Sequence, residues 1–395
     1  MRVLMIAPPW FTVPPVGYGG TEWVVSLLTE GLVEAGHDVT LIASGGSQTK
    51  ARLITVFDEA PSKQIGSPPY DLLHCLAGYK MRGEFDLIHD HSGCIGPAFG
   101  AMLDGPPVVH TVHGPWVAEL SALYQTLPPK LHLVAISHDQ RSRAPGGLHI
   151  DAVIHNGIPV ELYPFRADRR DGRGYLAWVG RSTADKGPAV AVEVARRMNR
   201  PLRMAIKINE PAEEAYWRDH VAPTLDGVDV DVIPNANTAQ KGELLAGADA
   251  TLFPIQWPEP FGLVMVESMA CGTPVLAYRN GAAAEVIADG ETGFLVEPGD
   301  IEGLCDATLR VAEIDPAACR GRVERQLSGA AMTRRYDRLY REVIALDTEI
   351  RVPDLGGVKG AFGAAAGALG AADEALGARR SAGVAGAGEN GSPEL

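Results

Sequence analysis

The sequence predicts an α/β protein made of two similar halves, each built on a parallel sheet. Three observations predict it. Short, dense apolar runs alternate with longer segments of helical period along most of the 395 residues. The apolar runs end in polar or glycine-containing residues, as buried parallel strands do. A charged stretch poor in apolar residues, PFRADRRDGRG at 164–174, splits the series into two sets of comparable length.

The elements follow in order. Val3 to Ala7 is an apolar run, and a loop rich in Pro and Gly after it closes in GYGGTE. From Thr21 the period changes, with Val24, Val25, Leu27, Leu28, Leu32 and Val33 on one helical face. Gly20 or Thr21 is the expected cap and Gly36 the expected stop. HDVTLIA at 37–43 is the next strand, so strand, loop, helix and strand make a βαβ unit. Residues 85–91, 107–114 and 132–138 read as further buried strands. Residues 153–159 form a short one that runs into a turn at Asn156-Gly157, where glycine is expected to supply a positive φ.

A second set begins after the charged stretch. Strands are expected at 175–180, 202–208, 228–234, 250–255 and 273–278. Helices are expected at 187–198, near 241–247 and at 262–269. Met332, Tyr336, Leu339, Tyr340 and Val343 then sit at helical spacing within 328–344. The expected division is 1–165 and 166–327, a last helix over 328–347, and an Ala/Gly-rich tail at 352–395. That tail has little to bury against its backbone entropy and reads as disordered.

Composition excludes some function classes. With 49 acidic against 35 basic side chains, the net charge is -14, which argues against a nucleic-acid partner. The same balance disfavours a polybasic membrane anchor, with peripheral membrane contact left open. The five cysteines, Cys75, Cys94, Cys271, Cys305 and Cys319, form no CxxC pair. Neither a disulfide framework nor a structural zinc site is expected, and a reducing cytoplasm is. The N-terminus reads as a first strand rather than a signal peptide. No uninterrupted apolar stretch approaches the ~18 residues of a membrane span.

Candidate site residues lie at the expected strand ends, where open α/β sheets bind their ligands. Gly19 and Gly20 let the chain turn tightly before a helix N-terminus, which favours an anion or a sugar; the alternative is a plain surface loop. Arg181 and Lys186, in GRSTADKG, can clamp a diphosphate as planar fork and point charge, or be two ordinary charges of a solvated turn. Lys207 stands among apolar neighbours and either faces the same crevice or snorkels at a strand end. The sharpest run is WPEPFGLVMVESMACGTPV at 257–275. There Glu267 can accept both hydrogen bonds of a ribose diol, and Glu259 can hold sugar hydroxyls. The amides of Phe261, Gly262 and Leu263 at a helix start can meet phosphate or sugar oxygens. Cys271 reads as a small buried filler. His89, His91, His110 and His113 cluster at strand ends without an HExxH pattern, so metal ligation is not expected. His113 is the one best placed to touch a sugar. No GxSxG elbow is present.

Taken together, these motifs resemble the GT-B glycosyltransferases of the large retaining family 4, from Met1 to about Ile344. EPFGLVMVE is similar to the family's E-x7-E motif, GRSTADKG to its diphosphate-clamp segment and GYGG to its N-terminal glycine loop. DGETGFLVEPGD resembles the stretch that follows the nucleotide site. HNGIP resembles the interdomain segment, with Pro159 where aspartate is common. Asn235 and Asn237 stand where a glycine-rich turn is usual. The opening resembles a bacterial subgroup with diverse or unassigned acceptors, including enzymes of antibiotic and pterin glycosylation.

The resemblance implies two Rossmann-like domains facing each other across a deep cleft, with the last helix crossing back to the first. It implies a retaining, metal-independent hexosyltransferase using an NDP-sugar, with UDP or GDP preferred, and a small-molecule or glycan acceptor. It assigns Arg181 and Lys186 to the donor diphosphate, Glu267 to the ribose, Glu259 to the donor sugar and His113 to the reacting centre. First-domain residues 58–82 and 114–130 are the expected acceptor loops. The alternatives are a nucleotide-sugar binding protein without transfer and a GT-B epimerase.

Overall fold

Two all-parallel sheets carry the chain, one of seven strands and one of six. The computed structural model describes residues 1–17, 19–168 and 174–351, with side chains to 348. Tyr18 of the glycine loop, residues 169–173 of the charged linker and the tail from 352 lie outside the described residues. The first sheet holds β1 (Arg2–Ile6), β2 (Asp38–Ala43), β3 (Arg52–Thr55), β4 (Leu87–Asp90), β5 (Val108–Val112), β6 (Leu131–Ala135) and β7 (Ala152–Val153) in the order β3-β2-β1-β4-β5-β6-β7. The second holds β8 (Leu176–Arg181), β9 (Leu202–Lys207), β10 (Val230–Pro234), β11 (Ala250–Phe253), β12 (Val275–Tyr278) and β13 (Gly293–Val296) in the order β10-β9-β8-β11-β12-β13. Strand order reverses between β1 and β4 and between β8 and β11, which opens a crevice at the carboxyl ends of each sheet. The two Rossmann-like halves face each other across a cleft.

The inner strands are largely buried on both faces, so they read as mostly apolar runs. Side chains still alternate. Val3 and Met5 of β1 point to one layer, where Val24, Val25, Leu28 and Leu32 of the helix Gly20–Glu34 pack. Leu4 and Ile6 point to the other, against Cys75 and Tyr79 of the helix Pro68–Lys80. The first layer is completed by the far end of the sequence. Met332, Tyr336, Leu339, Tyr340 and Val343, on the helix Gly329–Arg351, belong to the same core as Val3 and Val109. Burying each such side chain contributes roughly 1.5–3 kcal/mol. The second half has its own core, with Trp178, Val192, Leu252, Met265 and Leu276 at its centre.

Several expectations are corrected. The cap of the first helix is Gly19, at φ 150, and no side chain caps it. Strand β3, the helix Pro68–Lys80 and strand β13 go beyond the elements expected from the sequence. Gly157 is absent from the positive-φ glycines. It is required for another reason: a Cβ there would lie 2.6 Å from the carbonyl oxygen of Ser328, where the chain re-enters the first half. Asn235 replaces a glycine by taking the left-handed conformation itself, at φ 50. Asn237 caps the helix Thr238–Gly247 in a reciprocal pair with Gln240.

Candidate active site

The first wall of the cleft is made by the glycine loop. A Cβ on Gly19 would lie 2.7 Å from Pro15 Cβ, and one on Gly20 would lie 3.1 Å from Leu263 Cδ1 of the opposite half. Glycine therefore lets the start of the helix Gly20–Glu34 close up against the second half. Behind the loop, Glu22 in the first helical turn is 4% exposed. Burial pushes its carboxyl up to about 7, although it accepts from its own backbone amide.

The second wall carries the cations. Arg181 and Lys207 are cross-strand neighbours at the ends of β8 and β9. Arg181 Nε donates to Glu213 Oε1 at 2.7 Å. Glu213 is fixed in turn by the amides of Asn209 and Glu210, at 2.8 and 3.2 Å. Burial alone would raise the Glu213 carboxyl, but those donors hold it below its ordinary range. Burial lowers the Lys207 ammonium, and the charge of Arg181 adds to the effect against the pull of Glu213. Lys186 Nζ lies 2.5 Å from Glu259 Oε2 and 4.9 Å above the Trp257 ring.

Between these cations lies the helix Leu263–Ala270, capped by Gly262 at φ 82. Its first-turn amides open toward the cleft. Glu267, one turn in, is 5% exposed. Its Oε1 accepts from Tyr163 OH at 2.8 Å and from Lys241 Nζ at 2.5 Å. Its Oε2 is buried with no hydrogen-bond partner. A buried carboxylate oxygen without a donor is costly, so a ligand hydroxyl there is worth more than one in water.

The histidines form a chain. His113 Nε2 lies 2.8 Å from His91 Nδ1, and His91 Nε2 lies 3.2 Å from His89 Nδ1. His89 continues to Tyr340 OH at 2.5 Å and to Thr111 Oγ1 at 2.8 Å. Thr111 also meets Tyr336 OH at 2.8 Å. Burial pushes His113 down to about 3 and holds His89 and His91 well below their ordinary value. A neutral imidazole donates from one nitrogen and accepts at the other, so the tautomers of His89, His91 and His113 are coupled to one another and to the hydroxyls of the last helix. Among the described residues, no group of three or more His, Cys, Asp or Glu is placed to hold a metal ion. No described helix is long and apolar enough to cross a membrane.

One cavity of about 880 Å³ brings the predicted residues together. Gly19, Gly20, His113, Arg181, Lys186, Lys207, Glu259, Phe261, Gly262, Leu263 and Glu267 all line it. His91 and His110 line it too, whereas His89 lies behind them. Cys271 is fully buried. Of the two expected acceptor loops, 114–130 contributes Gly114, Leu120 and Tyr124, but 58–82 contributes no lining residue. That segment folds as the helix behind β1, where His74 bonds the Ala7 carbonyl at 2.9 Å. Pro8, Trp10, Phe11 and Val16 take its place. Sequence reasoning also missed Tyr163, Lys241, Glu213 and Glu22. The first three reach the site from separate segments; Glu22 stood in the quoted GYGGTE, and its burial was the unread signal.

Comparison with known proteins agrees with this geometry. Residues 18–162 match the family described as Glycosyltransferase Family 4, and residues 160–320 match Glycosyl transferases group 1. The chain is 27% identical to a glycogen synthase of Mycobacterium tuberculosis, over 82% of this chain and 90% of the relative. It is 28% identical to a phosphatidyl-myo-inositol mannosyltransferase of Mycolicibacterium smegmatis, over 86% of this chain and 90% of the relative. The crystal structure of a glycosyltransferase involved in avilamycin A biosynthesis superimposes with a TM-score of 0.65 at 26% identity, covering 87% of this chain and 98% of that one. Two contiguous family matches, one covering the first sheet except β1 and the other covering the second sheet, leave one assignment: the chain belongs to the GT-B glycosyltransferases of family 4.

Proposed function

We propose that this glycosyltransferase moves a hexose from a UDP- or GDP-linked donor to an acceptor hydroxyl with retention of anomeric configuration, binding the donor on residues 166–327 and the acceptor on residues 1–165. The observation that carries the reading is the unpartnered Oε2 of Glu267, buried in a cavity that Arg181, Lys186, Lys207 and Lys241 also line. A ribose diol supplies the missing donor, and the diphosphate beside it meets the cations.

The pairing seen without a ligand gives the binding step its chemistry. Glu213 holds Arg181 by Nε, which presents the guanidinium edge to phosphate. Lys186 is shared with Glu259, so a diphosphate that draws Lys186 away releases Glu259 to accept hydroxyls of the donor sugar. Cleavage of the anomeric C–O bond puts the electron pair on the diphosphate oxygen. Arg181, Lys186 and the amides at Gly262 and Leu263 stabilise that charge. The same oxygen takes the proton of the acceptor hydroxyl as its oxygen bonds to the anomeric carbon on the face the leaving group vacates. His113, neutral and hydrogen-bonded to His91 through Nε2, offers Nδ1 to a sugar hydroxyl. Protein cations and amides meet the developing charge, so transfer is expected to survive EDTA. A cytoplasmic location goes with this reading, in keeping with five cysteines that form no disulfide.

Thermal shift of the full chain against UDP-glucose, GDP-mannose and ADP-glucose tests donor binding, since a ligand bound only by the folded state raises Tm by mass action. Release of nucleoside diphosphate from the donor that wins, with an α-linked product by NMR, is expected. A β-linked product from an α-donor would overturn retention. Donor binding without any release would favour a binding protein.

A further inference from the structure

Resting on the reading above, we infer that the acceptor side of the cavity is built for an uncharged polyol, a sugar ring seated against Trp10 and Trp23 with one hydroxyl donating to Glu22. The inference comes from how charge is divided between the two walls. The cations that line the cavity, Arg181, Lys186, Lys207 and Lys241, all come from the second half. Among the described residues, the first half contributes no Lys or Arg to the lining. Its described ionisable side chains there are Glu22, Tyr124, Tyr163, whose hydroxyl is taken by Glu267, and the three histidines. His91 and His113 are held neutral by burial, and His110 already faces Asp90 at 3.5 Å. Tyr124 OH is engaged by His110 Nε2 at 2.7 Å.

An acceptor carrying phosphate or carboxylate would bury that charge on a wall with no counter-ion, beside the Glu22 carboxyl. Burying an unpaired charge is strongly unfavourable, and a like charge next to it adds to the penalty. A polyol carries no such charge. Its C–H faces match the indole rings of Trp10 and Trp23, and its hydroxyls find an acceptor in Glu22 and a hydrogen-bond partner in Nδ1 of His113. Glu22 has a buried carboxyl, no cation within ion-pair distance among the described residues, and a place on the cavity wall. Its burial alone would be a liability in the free protein; a donating hydroxyl turns it into a recognition group.

The test uses matched pairs of acceptors with the full chain and whichever of UDP-glucose, GDP-mannose or ADP-glucose raises its Tm. The pairs are glucose and glucose 6-phosphate, myo-inositol and its 1-phosphate, and methyl glucoside and methyl glucuronide. Maltose and octyl glucoside are added to distinguish a carbohydrate chain from a glycosylated small molecule. The readout is acceleration of nucleoside diphosphate release. The uncharged member of an active pair is expected to outpace its anionic partner by about tenfold or more. An anionic member that equals or exceeds its parent overturns the inference. So does failure of every uncharged polyol while the donor still shifts Tm. Absence of any donor shift strikes instead at the glycosyl-transfer reading beneath it. Glu22→Gln should raise acceptor KM about tenfold, more than it changes kcat, and narrow the discrimination within pairs. Unchanged KM and unchanged discrimination in a folded Glu22→Gln protein would remove Glu22 from the assignment. If that variant does not fold, the matched pairs on the native chain decide alone.

Discussion

Replacing Glu267 by Gln tests the nucleotide site most directly. The native carboxylate has one oxygen filled by Tyr163 and Lys241, at 2.8 and 2.5 Å, and one buried oxygen with no donor. In the variant, the amide carbonyl can still take Tyr163 and Lys241. The amide nitrogen then sits where the free oxygen was, and it cannot accept a ribose hydroxyl. The loss is at least one hydrogen bond to a charged acceptor in a site shielded from water, about 1.5–3 kcal/mol. At 1.4 kcal/mol per decade, Kd for the nucleoside diphosphate should rise roughly 10- to 150-fold. Calorimetric titration of both proteins with UDP or GDP and with its 2′-deoxy analogue measures this and tests its origin. The native chain should lose affinity when the diol is removed, and the variant should lose little more, because it has already lost the contact. Equal binding by the two proteins, or a deoxy penalty of the same size in both, would refute the diol assignment even if activity fell.

Other consequences can be checked in the same preparations. Lys186→Ala should lower kcat by about 10²–10³, the scale of one charge-stabilising donor removed at a transition state, and single-turnover kinetics with saturating donor measures it. Tyr336→Phe removes a buried hydroxyl bonded to Thr111 at 2.8 Å and should cost about 0.5–1.5 kcal/mol in urea denaturation; Met332→Ala, which leaves a cavity in the same core, should cost about 2–5. The stability of the native chain relative to Glu22→Gln should depend on pH. The folded state raises Glu22 from 4.5 to about 7, so its contribution is fully present below pH 4.5 and is lost as pH rises through 7, by up to ~3 kcal/mol. Urea midpoints of the two proteins across that range should diverge with rising pH, and parallel curves would contradict the burial of that carboxyl.

The parts of the fold and site that were legible in the sequence are those whose signal is local. EPFGLVMVE holds Glu259, the helix start and Glu267 within nine consecutive residues, and the structure keeps them on one helix and the loop before it. The central strands were readable because both faces are buried and most positions are apolar, with the polar residues His89, Asp90, His110 and Thr111 towards their carboxyl ends. Two peripheral elements were not: β3, half-exposed in RLIT, and the helix Pro68–Lys80, where exposed Leu72 and Leu73 interrupt the apolar stripe, give no clean period. Tyr163 and Lys241 meet Glu267 from 104 and 26 residues away, and nothing near either marks it as a partner. Gly157 shows the limit of conformational reasoning about turns, because its requirement is set by a carbonyl 171 residues later.

The return of the last helix to the first half constrains how this protein is made. Residues 1–165 emerge from the ribosome with one layer of their core missing, since Met332, Tyr336, Leu339, Tyr340 and Val343 are translated only after the whole second half. At bacterial rates of about 5–20 residues per second, that apolar surface waits several seconds or more for its cover. The later half can finish folding before the earlier one does. A nascent chain stalled short of the final helix is therefore where aggregation or a chaperone's attention is expected, and the hydrogen-bonded chain from Tyr340 to His113 closes only when that helix arrives.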